Sequence, residues 1–389
     1  MPRIEAIVAT EIAESFRAAQ VRGMFDLSAG KTSQERFAVE VPGVEEDWRI
    51  GLIVGPSGSG KSTIARRAFG APECWWATFQ WPADVAVVDG FPDGVDMREI
   101  TQALAAVGFS SPPAWLRPYH VLSNGEKFRC DLARLLVETG GERGVARVAV
   151  MDEFTSVVDR TVAKVGSAAI AKAVRGRPGR KFVAISCHND IRDWLEPDWV
   201  VDMATCSLAR GRLCRPRLEV GVHRCGKELW AMFKRHHYLS GSLPKVCWCY
   251  VGVIEGEPVA FAAVACQVGF AGYRRFSRIV VLPDYQGIGV GGRFRDTVAE
   301  IEMALPGVKR LGLVTSHPAM IGSLRKSNRW RCSAMGRSNG TATRAGGALP
   351  AGRMVVSFVY SAGRGKMHEA VGAGEPGVMG SGDGGNCQG

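Results

Sequence analysis

Two glycine-rich segments, each between a predicted strand and a predicted helix, are the stretches whose residue types could do chemistry. The first, in RIGLIVGPSGSGKSTIARRAF, has the spacing G-x-x-x-x-G-K-[ST] directly after the apolar run Ile50–Val54. Glycines let such a loop close around phosphates, and the lysine and hydroxyl that follow serve the β/γ-phosphates and Mg²⁺. The segment therefore predicts an ATP-binding loop, made of Gly55, Pro56, Ser57, Gly58, Ser59, Gly60, Lys61, Ser62 and Thr63.

A pair of acidic residues downstream supplies the remaining groups for nucleotide hydrolysis. The apolar run VARVAVM, predicted as a strand, ends in Asp152 and Glu153. Together with Ser62, Asp152 is placed to hold Mg²⁺. Glu153 is placed to polarise the attacking water as a general base. The two segments together predict an ATPase.

Three further motifs occur in the order found in ABC ATPases, which this part of the chain resembles. HVLSNGEKF resembles the signature that opens a helix and usually reads L-S-G-G-Q; here the residues are Leu122, Ser123, Asn124, Gly125 and Glu126. SVVDR resembles the D-loop, with Asp159, and KFVAISCHND places His188 where the family has its switch histidine. The resemblance implies catalytic roles for Lys61, Glu153 and His188. It also implies a homodimer formed on ATP, in which Ser123 and Gly125 of one copy contact the γ-phosphate of the other.

The spacing of the motifs favours a soluble protein over a transporter subunit. The interval from Lys61 to Ser123 is short for a transporter ATPase, and no apolar run approaches the ~20 residues that span a bilayer. The eleven cysteines are an odd number, which argues against a disulfide framework and for a cytoplasmic protein. The adenine-stacking residue stays open between Phe25 and Phe37, and Gln80 is a candidate for the Q-loop.

The second glycine-rich segment, Gln286–Gly292, follows a predicted strand, Phe276–Leu282, and precedes a helix. Its free N–H groups would form an anion nest, but no Lys-Ser/Thr follows the glycines. The spacing Q-x-x-G-x-G after V-L-P resembles the acyl-CoA loop of GNAT acyltransferases, as does the helix–hairpin order before it. The resemblance implies that acetyl-CoA or another acyl-CoA binds at Val281, Leu282, Gln286, Gly287, Ile288, Gly289, Val290, Gly291 and Gly292.

The residues of acyl transfer are less well defined. Many GNAT relatives use a glutamate base and a tyrosine acid from the last helix, but here PAMIGSLRKSNRW contains no tyrosine. A neutral histidine is a competent base near pH 7, and positioning without a base is the alternative. The candidates are Ser316 and His317 before that helix, and His236, His237 and Tyr238 from the run RHHYLSG.

The pattern predicts an α/β protein of two domains. Residues 1–36 form an N-terminal helix (residues 1–20) and lead-in, 37–205 a P-loop NTPase domain of ABC type, and 206–217 a linker. Residues 218–361 form a smaller α/β GNAT-like domain with a mixed sheet, and 362–389 a disordered Gly-rich tail.

The charge differs between the halves, and two interpretations of the basic second half stay open: a solvated basic surface, and attraction to a polyanion or to the CoA pyrophosphate. Residues 1–210 carry 25 basic and 27 acidic side chains, a net charge of −2, whereas residues 211–389 carry 24 and 11, a net charge of +13. A basic surface attracts nucleic acid, and HHYLSGSLPK with the acyl-CoA loop weakly resembles Mom-like DNA-modifying acyltransferases of phages. The sequence thus predicts an ATPase coupled to an acyltransferase whose acceptor is on nucleic acid. Two alternatives stay open: an ATP-driven switch whose GNAT-like domain only recognises, and a small-molecule acetyltransferase.

Overall fold

The computed structural model describes residues 3–11, 15–25, 32–71, 74–139, 148–212, 218–237, 242–337 and 354–361. Within these ranges the strands form a two-stranded ribbon, a six-stranded sheet and a seven-stranded sheet. The predicted tail, residues 362–389, and the candidate Tyr238 lie outside them.

The ATPase half is built on the six-stranded sheet. Its strands and those of the ribbon are β1 (Arg3–Glu11), β2 (Thr32–Glu40), β3 (Ile50–Val54), β4 (Cys74–Trp76), β5 (Val148–Met151), β6 (Lys181–Ser186), β7 (Trp199–Asp202) and β8 (Ser207–Arg210). Its helices are α1 (Phe16–Phe25), α2 (Lys61–Ala68), α3 (Met97–Ala106), α4 (Pro112–Trp115), α5 (Asn124–Glu138), α6 (Arg160–Arg175) and α7 (Arg192–Leu195). The order in the sheet is β4–β5–β6–β3–β7–β8, parallel except between β7 and β8.

Both faces of this sheet are covered, which explains why its central strands are continuous apolar runs. Leu52 of β3 packs into a core with helices α3, α5 and α6. Its neighbour Ile53 points the other way, into a core with α2 and the β1–β2 ribbon. The sheet therefore delivers the ends of β3, β5 and β6, with the motifs that follow them, to one edge.

The N-terminal helix predicted over residues 1–20 is wrong for its first half. Residues Arg3–Glu11 form β1, which pairs antiparallel with β2 from Arg3–Glu40 to Glu11–Thr32. Ala6 is fully buried while its neighbours Glu5 and Ile7 are exposed. Such alternation of buried and exposed residues is the pattern of a strand. Pairing with β2 stabilises the strand more than the helix-like spacing of the acidic residues favours a helix.

The predicted linker begins too early. Ser207–Arg210, inside the predicted 206–217 linker, form β8 and pair antiparallel with β7 at the edge of the ATPase sheet. An edge strand exposed to solvent carries polar and basic side chains, so its sequence resembles that of a linker. Residues 213–217 lie outside the described ranges.

The second half is a seven-stranded mixed sheet. Its strands are β9 (Gly221–Cys225), β10 (Trp248–Ile254), β11 (Glu257–Cys266), β12 (Tyr273–Val281), β13 (Arg310–Thr315), β14 (Trp330–Arg337) and β15 (Met354–Tyr360). The order is β14–β15–β13–β12–β11–β10–β9, antiparallel except for the parallel pair β12–β13. Its helices are α8 (Trp230–Phe233), α9 (Val290–Met303) and α10 (Pro318–Lys326). The parallel pair is joined by the crossover helix α9, which buries Phe294 and Val298 in the core.

The hairpin expected before the second glycine-rich segment is present, with its turn in the sequence E-G-E-P. Glu255 and Gly256 connect β10 to β11 with φ values of +50° and +87°, as a two-residue turn with both central residues left-handed requires. Among the residues that the structure describes, no helix is long and apolar enough to cross a membrane.

Candidate functional sites

The ATP loop connects β3 to α2 in a conformation that exposes backbone donors. Gly58 and Gly60 have φ values of +79° and +78°, the left-handed region that favours glycine. Gly60 is the N-cap of α2 and no side chain caps the helix, so its first N–H groups are open to an anion. The Lys61 ammonium donates hydrogen bonds to the carbonyl oxygens of Gly55 (2.9 Å) and Pro56 (2.7 Å). The lysine thus lies folded over the loop.

The acid pair lies in the same cavity as the loop. This cavity, called here the ATP cavity after the ligand that the sequence predicts, has a volume of about 410 Å³. It is lined by Ser57, Gly58 and residues 60–63 of the loop together with Asp152 and Glu153. The Ser62 hydroxyl and the Asp152 carboxylate are oxygen donors of the kind that Mg²⁺ takes. Glu153 has a φ of +50°, which is uncommon for a non-glycine residue and marks a strained turn.

The two adenine-stacking candidates differ in position. Phe37, on β2, lines the ATP cavity, and its ring is so close to Gly60 that an added Cβ would lie 2.7 Å from it. Phe25 is 68% exposed at the end of α1. Phe37 is therefore the aromatic that the fold brings to the nucleotide loop. Gln80 is exposed, and its carbonyl oxygen accepts a hydrogen bond from Arg134.

The remaining ABC-type motifs lie at the starts of elements. His188 follows β6, next to Cys187, which lines the ATP cavity. The D-loop residue Asp159 is the N-cap of α6, where its carboxylate accepts a hydrogen bond from the Val162 N–H at 3.0 Å. These positions agree with the predicted motifs, whose roles remain predictions.

The signature residues begin helix α5 with a capping box. The Ser123 hydroxyl accepts from the Glu126 N–H at 3.3 Å, and the Glu126 carboxylate accepts from the Ser123 N–H at 2.9 Å. Glu126, which departs from the usual glutamine, thereby satisfies the helix start. Among the described residues that line the ATP cavity there is none from Leu122–Glu126.

A second cavity opens where strands β12 and β13 separate. The two strands pair only from Tyr273–Arg310 to Phe276–Leu313, and β12 has an irregularity against β11 at Ser277. Beyond that point the strands enclose the acyl-CoA cavity, of about 340 Å³, between Ser277–Val281 on one side and Leu313–Thr315 on the other. A splayed pair of this kind leaves strand-edge N–H and C=O groups for an extended ligand.

The glycine-rich loop forms the mouth of this cavity. Gly287 and Gly289 have φ values of +87° and +99°, and Gly289 is the N-cap of α9 without a side-chain cap. Of the nine predicted acyl-CoA residues, the cavity is lined by Val281, Gln286, Gly287, Gly289, Gly291 and Gly292. Val290 is instead buried in the core, Ile288 packs against that core, and Leu282 packs against the cluster around Phe261.

Three of the acyl-transfer candidates line the acyl-CoA cavity: His236, His237 and His317. The His317 Nε2 lies 2.9 Å from the carbonyl oxygen of Ser110. Because a carbonyl only accepts, Nε2 carries the proton and Nδ1 is the basic nitrogen of the neutral ring. Burial lowers the pKa of His317 and that of His236. Ser316 is half-buried beside His317.

The sequence reasoning missed the ATPase residues that line the acyl-CoA cavity. Ala105, Ser110 and Lys172 come from the first half of the chain and lie with the GNAT-like loop around one space. No local motif marks these three positions, because the docking of two domains is decided by surface shape rather than by spacing along the chain.

Comparison with known proteins gives matches at the level of solved structures. No protein-family model matches the sequence, and no curated protein does. The ribosomal-protein-S18-alanine N-acetyltransferase of Escherichia coli matches with 16% identity and a TM-score of 0.29 over 39% of this chain and 100% of its own. A Bacillus subtilis acetyltransferase in complex with CoA matches with 12% identity and a TM-score of 0.29 over 37% of this chain and 98% of its own. A dimeric ATP-binding cassette bound to ADP and phosphate matches with 14% identity and a TM-score of 0.35, over 49% of this chain and 96% of its own. The matched structures are thus two acetyltransferases and an ATP-binding cassette.

Proposed function

We propose that this protein hydrolyses ATP and transfers an acyl group from acyl-CoA to an amine. The observation that carries the first activity is the ATP cavity, where one space holds the phosphate loop, Lys61 and the acid pair. In this reading Lys61 binds the β/γ-phosphates, and Ser62 with Asp152 holds Mg²⁺. Glu153 polarises the water that attacks the γ-phosphorus.

The second activity is supported by the splayed strands and the glycine loop. Backbone N–H groups at the start of α9 would bind the CoA pyrophosphate, and the free edge of β12 would pair with the pantetheine arm. The acceptor nitrogen attacks the thioester carbonyl, a C–N bond forms, and the C–S bond breaks. His317 Nδ1 takes the proton that the amine loses, and the CoA thiolate leaves and is protonated to the thiol.

Dimer formation and the acceptor belong to the same proposal. The signature residues do not line the ATP cavity of their own copy, so a homodimer with the two ATPs between its copies would complete both sites. The basic second half favours an acceptor on nucleic acid. Binding to labelled DNA and tRNA, followed by fluorescence anisotropy, should then weaken steeply between about 50 and 200 mM salt. Salt-insensitive or absent binding would instead favour a small-molecule amine.

The test of the proposal is the Glu153→Gln variant. It should retain ATP affinity and lose about a thousandfold in hydrolysis, because the amide cannot take a proton from water. It should also elute as a dimer when ATP and Mg²⁺ are present. The control is Glu257→Gln, the same charge change at an exposed position of β11 in the other half of the chain. Undiminished hydrolysis in Glu153→Gln would refute the assigned base.

A further inference from the structure

The two halves of the chain meet at the loop assigned to acyl-CoA. The segment Val107–Ser110, which follows α3, is the ATPase side of this contact and is called here the 107–110 segment. The Ser110 N–H donates to the Gln286 side-chain oxygen at 3.2 Å, and the Ser110 carbonyl accepts from His317 at 2.9 Å. The Gln286 amide in turn donates to the Val281 carbonyl at 2.8 Å. One ATPase residue therefore holds both the glycine loop and the candidate base.

The backbones of the two halves are in direct contact beside these hydrogen bonds. Gly108 has a φ of +84°, and a Cβ added there would lie 2.6 Å from the Gln286 carbonyl oxygen. A Cβ added at Gly287 would lie 3.1 Å from the Gly108 nitrogen and 3.0 Å from the Ala169 Cβ on α6. Glycine at both positions lets the acyl-CoA loop rest on the ATPase domain. The conformation of the acyl-CoA loop therefore depends on the ATPase domain.

The ATPase domain also brings a cation to the cavity. Lys172 of α6 lies three residues after Ala169, one helical turn along the same face, and lines the acyl-CoA cavity. The glycine loop QGIGVGG contains no basic residue. Arg278 and Arg295 of the GNAT-like half line the cavity as well.

We propose that acyl-CoA is bound by both domains, with Lys172 of the ATPase domain contacting a CoA phosphate and Ser110 positioning Gln286 and His317. This rests on the proposed acyl-CoA function, which it extends by naming residues outside the GNAT-like fold. The ligand chemistry is a phosphate of CoA, either the 3′-phosphate or the pyrophosphate. Lys172 is a binding residue, and Ser110 acts through the two groups it holds.

The same contact links acyl-CoA to the nucleotide cycle. Arg129, on the helix that begins with the signature, is buried and donates from Nη1 to the Val107 carbonyl at 3.0 Å. Helix α6, which carries Ala169 and Lys172, begins at the D-loop residue Asp159. The first of these helices thus contacts the 107–110 segment through Arg129, and the second contacts the acyl-CoA loop through Ala169. ATP and acyl-CoA should therefore change each other's affinity by the same factor.

The first test is calorimetric titration of acetyl-CoA into the full-length Lys172→Gln variant. Loss of a charge-assisted contact should raise the Kd about tenfold. The control is Lys164→Gln, the same charge change on the same helix about 12 Å nearer its N-terminus, whose Kd should stay within about twofold of the unmutated protein.

Titration of dephospho-CoA shows which phosphate is involved. If Lys172 contacts the 3′-phosphate, the unmutated protein prefers CoA to dephospho-CoA and Lys172→Gln does not. If it contacts the pyrophosphate, the substitution weakens both ligands equally. Equal affinity of Lys172→Gln and the unmutated protein for acetyl-CoA would overturn the proposal for the lysine.

The second test is Gly108→Ala, which pushes a methyl group against the acyl-CoA loop. Acetyl-CoA should bind about tenfold more weakly, whereas ATP affinity, measured on the same sample, should be retained and shows that the protein is folded. The control is Gly94→Ala, since Gly94 has a φ of +79° and no atom within 4 Å of an added Cβ. Unchanged acetyl-CoA affinity in Gly108→Ala would refute the role of the 107–110 segment. If the unmutated protein itself bound no acetyl-CoA, the proposed transferase function would fail instead.

Discussion

The ATP loop and the acyl-CoA loop are alike up to the first residue of the helix that each one begins. Each follows a strand, and each places a left-handed glycine, Gly60 or Gly289, at the N-cap of a helix that no side chain caps. The next residue differs: Lys61 is folded over its own loop, whereas Val290 is buried in the core. The ATP loop contains its own cation, whereas the cation proposed for the acyl-CoA loop is Lys172, which comes from the neighbouring domain. Exposed backbone N–H groups at a helix N-terminus therefore suit anions in general. The domain that supplies the compensating cation determines whether the site is complete within one domain.

The largest expected effect is on the loop that carries its own cation. Lys61→Ala should reduce ATP hydrolysis about a thousandfold, because the γ-phosphate loses the charge that compensates it in the transition state. Acetyl-CoA affinity without ATP should not change. Phosphate release and calorimetry on the same preparation measure both, and a parallel loss of acetyl-CoA binding would contradict the separation of the two sites.

The candidate base gives the next largest effect. His317→Ala should lower kcat for acyl transfer about a hundredfold with a smaller change in KM. The assay measures release of the CoA thiol, with an acceptor first identified by transfer of a labelled acyl group. His317→Gln is the matched variant, since its amide still donates to the Ser110 carbonyl but cannot act as a base. Full activity in the glutamine variant would show that His317 only positions.

The pH dependence of acyl transfer should reflect the protonation of the same histidine. Burial lowers the pKa of His317 below the ordinary 6.5, so the neutral, basic form persists to lower pH. Activity should stay level from pH 8 towards 6.5 and fall only as pH drops through the lowered pKa. An acid limb at or above pH 6.5 would contradict this reading.

A bulky side chain at the N-terminus of α9 should reduce the affinity for acetyl-CoA about tenfold or more and leave ATP hydrolysis unchanged. In Gly289→Trp the indole would occupy the space in front of the α9 N-terminus, so acetyl-CoA should bind more weakly while ATP hydrolysis stays the same. Gly307→Trp is the control, because Gly307 has a φ of +78° and also has no atom within 4 Å of an added Cβ. Unaltered acetyl-CoA affinity in Gly289→Trp would place the ligand elsewhere.

The smallest expected effect is at the signature. Glu126→Gln restores the family's usual residue, and the amide oxygen can still accept from the Ser123 N–H, so ATP hydrolysis should stay within about twofold. Glu126→Ala removes the cap and should cost about 1 kcal/mol in the free energy of unfolding, measured by denaturant titration. A large gain of activity in Glu126→Gln would mean that the carboxylate suppresses turnover.

The sequence predicted those parts of the fold whose signals are local. A strand, a glycine loop and a helix follow one another within about twenty residues, so Lys61 and Gly289 could both be placed on their elements. The turn at Glu255–Gly256 is local in the same sense. The N-terminal strand was missed, because Arg3–Glu11 is a strand only through its distant partner, Thr32–Glu40.

The candidate sites divide in the same way. The ATP cavity is formed by motifs that the order of elements brings to one sheet edge, and the phosphate-loop residues and the acid pair that line it were predicted. The acyl-CoA cavity also needs Ser110 and Lys172, whose neighbours in the sequence carry no motif. Their contribution comes from contact between two surfaces, such as Gly108 against Gln286, and such contact leaves no spacing to recognise.

The measurement that tests the central claim most directly is calorimetric titration of acetyl-CoA into Glu153→Gln with and without ATP and Mg²⁺. If the acyl-CoA site is shared by both domains, its Kd should change about fivefold or more when ATP traps the dimer. A Kd that is the same in both states would contradict the coupling of the two sites, and no binding in either state would contradict the acyl-CoA site itself.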